Sequence, residues 1–260
     1  MSDLPRIERP RVAVSRKLLP SVESRMSQLF DVRLNEADVP LDSSALIAAM
    51  AGCDVLVPTV TDIIDADLIA NAPPRLKLIA NYGAGVDHID LVAAKAKGIM
   101  VTNTPGVFTE DTADLTMALI LSVPRRLAEG EKLVRSGKWS GWRPSGMYGR
   151  RIGGKTLGII GFGRIGEAVA ERARAFGMNV VYNKRHRLPA SVEEAMGVSY
   201  EPDLDRLIAK SDIITLHCPL TAETEKLINA QRIAAMKPDA YLINSSRGEL
   251  VDENALIEAL

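Results

Sequence analysis

Short apolar runs alternate with stretches in which apolar residues recur at helical spacing, and the alternation persists along the whole chain. In the N-terminal part, Arg11-Val12-Ala13-Val14, Val32-Arg33-Leu34, Val55-Leu56-Val57-Pro58, Leu76-Lys77-Leu78-Ile79-Ala80 and Gly98-Ile99-Met100-Val101-Thr102 read as strands. Residues 22–30 and 44–50 carry the helical pattern between them. Strands that alternate with helices predict βαβ units, in which a parallel sheet is covered on both faces.

A long helical stretch follows over residues 111–135. Asp111-Thr112-Ala113-Asp114 offers capping side chains and negative charge to its first turn, and Pro124 predicts a break into two helices. Residues 136–148, rich in Gly, Pro and Trp, predict a loop. The alternation then restarts. Leu157-Gly158-Ile159-Ile160 is a strand, residues 165–176 a helix, and Val180-Val181-Tyr182 a strand leading into a polar loop. Residues 204–210 read as a helix, Ile213-Ile214-Thr215-Leu216 and Ala240-Tyr241-Leu242-Ile243 as strands, and residues 253–260 as the start of a helix. Two α/β domains joined near Asn103 and Thr104 are expected.

Composition narrows the function classes. A net charge of −1 provides no field to draw the chain to nucleic acid or an anionic membrane. The longest apolar runs, such as residues 117–123, fall far short of the roughly 18–20 needed to cross a bilayer, and the N-terminus lacks signal-peptide layout. Cys53 and Cys218 form neither a metal-ligand spacing nor a disulfide framework. A cytoplasmic protein with reduced thiols and no metal is the expectation.

Gly161-Phe162-Gly163-Arg164-Ile165-Gly166 has the spacing of a dinucleotide fingerprint, directly after an apolar strand and opening a helix. Gly161 is expected to make the tight turn, Gly163 to admit a pyrophosphate, and Gly166 to let helix pack on strand. The amides of Arg164 and Ile165 would face phosphate oxygens from the positive end of the helix. NAD-binding proteins usually place a carboxylate about 20 residues on, to hold the ribose hydroxyls. Here the next strand runs into Asn183-Lys184-Arg185-His186-Arg187. Cations in place of a carboxylate predict NADP(H) in preference to NAD(H), because guanidinium groups pair well with phosphate oxygens.

Gly83-Ala84-Gly85 follows a strand, where small residues leave backbone amides available for an anion. Arg247, beside Gly248 at the end of another strand, could hold a 2-oxo acid and stabilise charge developing on its carbonyl oxygen.

Several segments together resemble the D-isomer-specific 2-hydroxyacid dehydrogenases. Asn81-Tyr82-Gly83-Ala84-Gly85-Val86-Asp87-His88-Ile89-Asp90 resembles their substrate loop, and Asn103-Thr104-Pro105-Gly106-Val107 with Thr112-Ala113-Asp114 their crossover. Leu216-His217-Cys218-Pro219-Leu220-Thr221 and Asn244-Ser245-Ser246-Arg247-Gly248 resemble two cofactor-pocket segments. Within that family, the loop at residues 139–142 and the basic loop resemble glyoxylate and hydroxypyruvate reductases most. The resemblance implies a flavodoxin-like substrate domain over residues 1–103 and a Rossmann NAD(P)-binding domain over residues 104–260, the second incomplete. It further implies that the amides of Ala84, Gly85 and Val86 hold the substrate carboxylate. Thr112 would lie near the nicotinamide-side phosphate, Ser245 and Ser246 along the nicotinamide, and Cys218 and Pro219 against the adenine. The resemblance also implies a small 2-oxo or 2-hydroxy acid as partner and a homodimer formed through the long helix.

The family also carries a glutamate and a proton-donating histidine beyond the arginine. These 260 residues do not contain that stretch. The apolar helical ending, without glycine cap or polar exit, leads to the expectation of a shortened product or an incomplete sequence. The competing reading is a catalytically weak or inactive NADP-binding module that acts through a protein partner.

Overall fold

The computed structural model describes residues 8–260. Contacts divide the chain into two units between Val107 and Phe108. The first holds β1 (Arg11–Val14), α1 (Pro20–Leu29), β2 (Asp31–Arg33), α2 (Ser43–Met50), β3 (Val55–Val57), α3 (Ala66–Ala70), β4 (Leu78–Ala80), α4 (Leu91–Ala96) and β5 (Met100–Thr102). All pairings are parallel, in the order β2-β1-β3-β4-β5. That is the flavodoxin-like order. Ala13, Leu56 and Ile79 face a core shared with Leu46, Met50, Leu68 and Ala94 from the helices. Val12, Val14 and Val57 face the other side.

The second unit opens with α5 (Thr109–Ser122) and α6 (Leu127–Arg135). Then come β6 (Thr156–Ile160), α7 (Arg164–Ala175), β7 (Asn179–Asn183), α8 (Ala190–Met196), β8 (Val198–Tyr200) and α9 (Leu204–Lys210). β9 (Ile213–Leu216), α10 (Ala230–Ala235), β10 (Tyr241–Asn244), a single 3-10 turn (Gly248–Leu250) and α11 (Glu253–Ala259) complete it. This sheet is also parallel, in the order β10-β9-β6-β7-β8. Counted from β6, it is the Rossmann order 3-2-1-4-5, with its switch point between β6 and β9. Side chains alternate along β6. Leu157 and Ile159 pack on Val169 and Ala173 of α7, while Ile160 packs on Leu207 of α9. Each such fully buried side chain contributes about 1.5–3 kcal/mol.

The expected strands and long helices are present, and the chain does break near Pro124. Three short helices, α3, α4 and α10, carry no readable periodicity. Capping side chains start them: Asp65 accepts from Leu68 N, Asp90 from Ala93 N, and Asn229 from Arg232 N. Three sequence expectations need correction. The segment after β7 is not simply a polar loop, since it contains α8 and β8, separated by Gly197 at φ +62°. Asp111 and its neighbours do not cap α5. The helix starts earlier, behind Phe108 with no side-chain cap, and Glu110 and Asp111 lie in its first turn. Asp114 binds Arg172 of α7 instead, Nε to Oδ1 2.6 Å, as does Glu110. Arg247 does not end a strand either. β10 stops at Asn244, and Arg247 precedes the 3-10 turn in extended conformation.

Candidate dinucleotide and acid sites

The glycine motif joins β6 to α7, and its three glycines differ in surroundings. Gly161 sits at φ +89°, and a Cβ there would collide with the backbone of His217 and Cys218 at the end of β9. This position therefore requires glycine on two grounds, backbone conformation and space. A Cβ on Gly166 would lie 2.6 Å from Gly161 O and 3.3 Å from Ile159 Cγ2, so α7 can approach β6 only without a side chain. A Cβ on Gly163 would meet nothing within 4 Å. Space is open where a phosphate has to approach. Gly163 is also the N-cap of α7, with no side-chain cap, so the first-turn amides at Arg164 and Ile165 are available at the positive end of the helix. The residues fit a bound diphosphate. Phe162, 1% exposed, anchors the turn from below, its ring 4.2 Å from that of Tyr182.

At the end of β7, Asn183 Nδ2 donates to the carbonyls of Glu201 (2.8 Å) and Pro202 (3.2 Å), so this side chain ties β7 to the residues after β8. Lys184 is half-buried, and Arg185 and His186 are exposed. Arg185 Nη2 lies 3.9 Å from Glu223 in an exposed pair, which holds it only weakly. Arg187 is committed to structure. It binds Glu193 through Nε and Nη2 and lies over the Tyr200 ring. The other nearby carboxylate, Glu201, is bound by Lys210 Nζ at 2.6 Å.

On the far side of the switch point, Thr112 O accepts from Thr116 Oγ1 (2.8 Å), and Thr116 Oγ1 meets Ser245 Oγ at 2.9 Å. Ser246 Oγ donates to Cys218 O at 2.8 Å, and Asn244 Nδ2 donates to Arg247 O at 2.7 Å. Ser245, Ser246 and Arg247 are thus held to α5, to Cys218 beyond β9 and to β10 respectively. Burial raises the Cys218 thiol above its ordinary pKa, which suits a packing role, and Pro219 O accepts from Thr224 Oγ1. His217 is pushed down to about 4 by burial and stays neutral at physiological pH. Sequence reasoning gave no part to Thr116, whose partner Ser245 lies on a distant segment, or to Asn244, whose side chain ties the neighbouring Ser246 N and Arg247 O.

In the first unit, Ala84, Gly85 and Val86 follow β4. Asn81 Nδ2 donates to Gly83 O (3.1 Å) and Gly85 O (2.8 Å), while Asn103 Nδ2 donates to Ala84 O at 2.7 Å. In a trans peptide, N–H points opposite to the preceding carbonyl. All three carbonyls are therefore tied back, and the amides of Ala84, Gly85 and Val86 turn away from those anchors. Among the described residues these amides have no hydrogen-bond partner. Three successive amides without a partner suit an anion.

A Rossmann-order sheet with an uncapped, glycine-lined helix start at its switch point defines a dinucleotide-binding unit. The family model "D-isomer specific 2-hydroxyacid dehydrogenase, NAD binding domain" matches residues 117–260. A glyoxylate reductase of Thermococcus litoralis is 44% identical over 256 residues, which cover 97% of this chain and 76% of the relative. The crystal structure of the TT0316 protein from Thermus thermophilus superposes with a TM-score of 0.87 at 45% identity, covering 96% of this chain and 78% of that one. An acyclic imino acid reductase in complex with NADPH and D-Arg gives a TM-score of 0.83 at 31% identity, with coverage of 96% and 78%. The chain belongs to the D-isomer-specific 2-hydroxyacid dehydrogenase family, and its second unit is the family's nicotinamide-dinucleotide domain. Among the described residues, no helix is long and apolar enough to cross a membrane.

Proposed function

We propose that the chain binds NADP(H) in preference to NAD(H) and acts on a small 2-oxo or 2-hydroxy acid, with glyoxylate or hydroxypyruvate as substrate. The amides of Arg164 and Ile165 hold the diphosphate beside Gly161, Gly163 and Gly166. Lys184 and Arg185, just beyond Asn183, pair with the 2′-phosphate. Cys218 and Pro219 form the adenine wall, and Thr112, Ser245 and Ser246 serve the nicotinamide side. The amides of Ala84, Gly85 and Val86 hold the substrate carboxylate, and Arg247 stabilises charge on the carbonyl oxygen. A bound nicotinamide would supply or accept the hydride.

One observation supports the cofactor preference most strongly. The carboxylates of Glu193 and Glu201, near the end of β7, are bound by cations of their own, while among the described residues Lys184 makes no ion pair and Arg185 only a loose one with Glu223. The name of the 44% identical relative supports glyoxylate as substrate, and the NADPH complex of a more distant one supports the cofactor. A homodimer is part of the proposal. Leu115, Leu127 and Val134 on α5 and α6 are 57%, 55% and 58% exposed, an apolar surface suited to burial against a second copy.

Titration of NADPH and NADH by nucleotide fluorescence, at physiological salt, tests the preference. NADPH is expected to bind about tenfold tighter or better, equivalent to ~1.4 kcal/mol. Tighter binding of NADH would overturn the assignment.

A further inference from the structure

We propose that Asn81, held in orientation by His88, is the positioning residue that sets the affinity of residues 83–86 for a carboxylate. The inference rests on the reading of that loop as the acid site.

Asn81 is 3% exposed, and its side-chain amide has partners at both its nitrogen and its oxygen. Nδ2 reaches two carbonyls, Gly83 O and Gly85 O, and Oδ1 lies 3.1 Å from His88 Nε2. Chemistry fixes the assignment. Carbonyl oxygens only accept, so the nitrogen must face them. Oδ1 is then left towards His88, whose Nε2 must carry a proton. Both the neutral Nε2–H tautomer and the imidazolium meet that demand, so the lock holds in either charge state of the ring.

The consequence falls on the backbone. Gly83 and Gly85 flank Ala84, and glycine resists peptide rotation least. Left alone, the segment would sample many peptide orientations. Gly83 O has a second donor, Thr104 N at 3.0 Å, and Ala84 O has Asn103. Among the described residues Gly85 O has Asn81 as its one donor, so the Gly85–Val86 peptide depends on this side chain. Packing agrees, since a Cβ on Gly83 would lie 3.4 Å from Asn81 Nδ2. Asn81 thus organises the amides beforehand, and a carboxylate ligand does not have to pay for ordering them.

The experiment titrates oxamate, an unreactive 2-oxo acid mimic, into the full chain by calorimetry, and follows the 15N-labelled amides of Ala84 and Val86. Asn81→Asp keeps the shape but replaces two donors with an acceptor. It is expected to weaken oxamate at least tenfold and abolish the oxamate-induced shifts of both amides, while NADPH affinity stays within twofold. His88→Leu is expected to weaken oxamate in the same direction, and His88→Gln, which can still donate to Oδ1, to restore it. That rescue carries the test if Asn81→Asp fails to fold. Wild-type-like oxamate affinity in Asn81→Asp, or no difference between His88→Leu and His88→Gln, overturns the proposal. Absence of oxamate binding and amide shifts in the wild type refutes the acid-site reading, and the inference with it.

Discussion

Both oxygens of the Glu193 carboxylate are bound by the Arg187 guanidinium, Oε1 at 3.0 Å from Nε and Oε2 at 2.7 Å from Nη2. The buried Tyr182 hydroxyl also donates to Oε1, at 2.6 Å, and accepts from Leu188 N. The basic loop after β7 is therefore closed on a carboxylate of α8.

Arg187 first, and then Tyr182, hold the Glu193 carboxyl below its ordinary pKa. A carboxylate lowered on folding contributes stability above its unfolded value, about 4.3, and loses it as pH falls through the lower folded value. Glu193→Gln is expected to lower the urea midpoint at pH 7, with the gap to wild type closing below about pH 4. It should also weaken NADPH several-fold while leaving NADH nearly unchanged, because the loop carrying Lys184 and Arg185 loosens. Equal loss for both cofactors would contradict the loop's role.

His217 gives the opposite charge case. Burial lowers it to about 4, while the unfolded chain titrates near 6.5. The unfolded state binds the extra proton between those values, so stability is full above about pH 6.5 and declines towards pH 4. The total loss is about 3 kcal/mol. Urea denaturation at pH 4.5, 6 and 7.5 measures it, and His217→Gln is expected to flatten the slope. An unchanged slope in the variant would assign the acid sensitivity to other groups.

The glycines of the fingerprint separate folding from binding. Gly161→Ala is expected to destabilise the second unit strongly, since it strains φ +89° and drives a methyl into the backbone after β9. Gly163→Ala should fold with a near-native Tm, because its methyl meets no protein atom, yet lose dinucleotide affinity by about tenfold or more. Thermal unfolding beside fluorescence titration tells the two apart. Wild-type affinity in Gly163→Ala would move the diphosphate elsewhere.

Replacing Lys184 and Arg185 together by alanine is expected to cost NADPH about tenfold in affinity and to spare NADH, which has no 2′-phosphate. The ratio of the two dissociation constants is the measurement. A ratio equal to wild type would remove these side chains from the selectivity.

Much of the fold was legible from local pattern. β6, β9 and β10 are apolar runs, the interval between α5 and α6 is marked by Pro124, and each fingerprint glycine has surroundings that suit its expected part. The short helices were not legible, because five or six residues are too few to show a period and one capping side chain starts each. The unpartnered amides at Ala84, Gly85 and Val86 could be anticipated from small residues after a strand. The side chains that aim them could not.

By itself, then, the sequence determined the alternation of strand and helix, the positions where only glycine fits and the cationic end of β7, because each is a property of adjacent residues. The tertiary structure alone decided partners. It gave Arg187 to Glu193 and so removed one cation from the expected phosphate site, and it placed Asn81 beneath residues 83–86. It joined Thr116 to Ser245 across a separation of 129 residues. Strand order sets which elements meet, and a hydrogen bond between distant residues leaves no periodic trace in the chain that forms it.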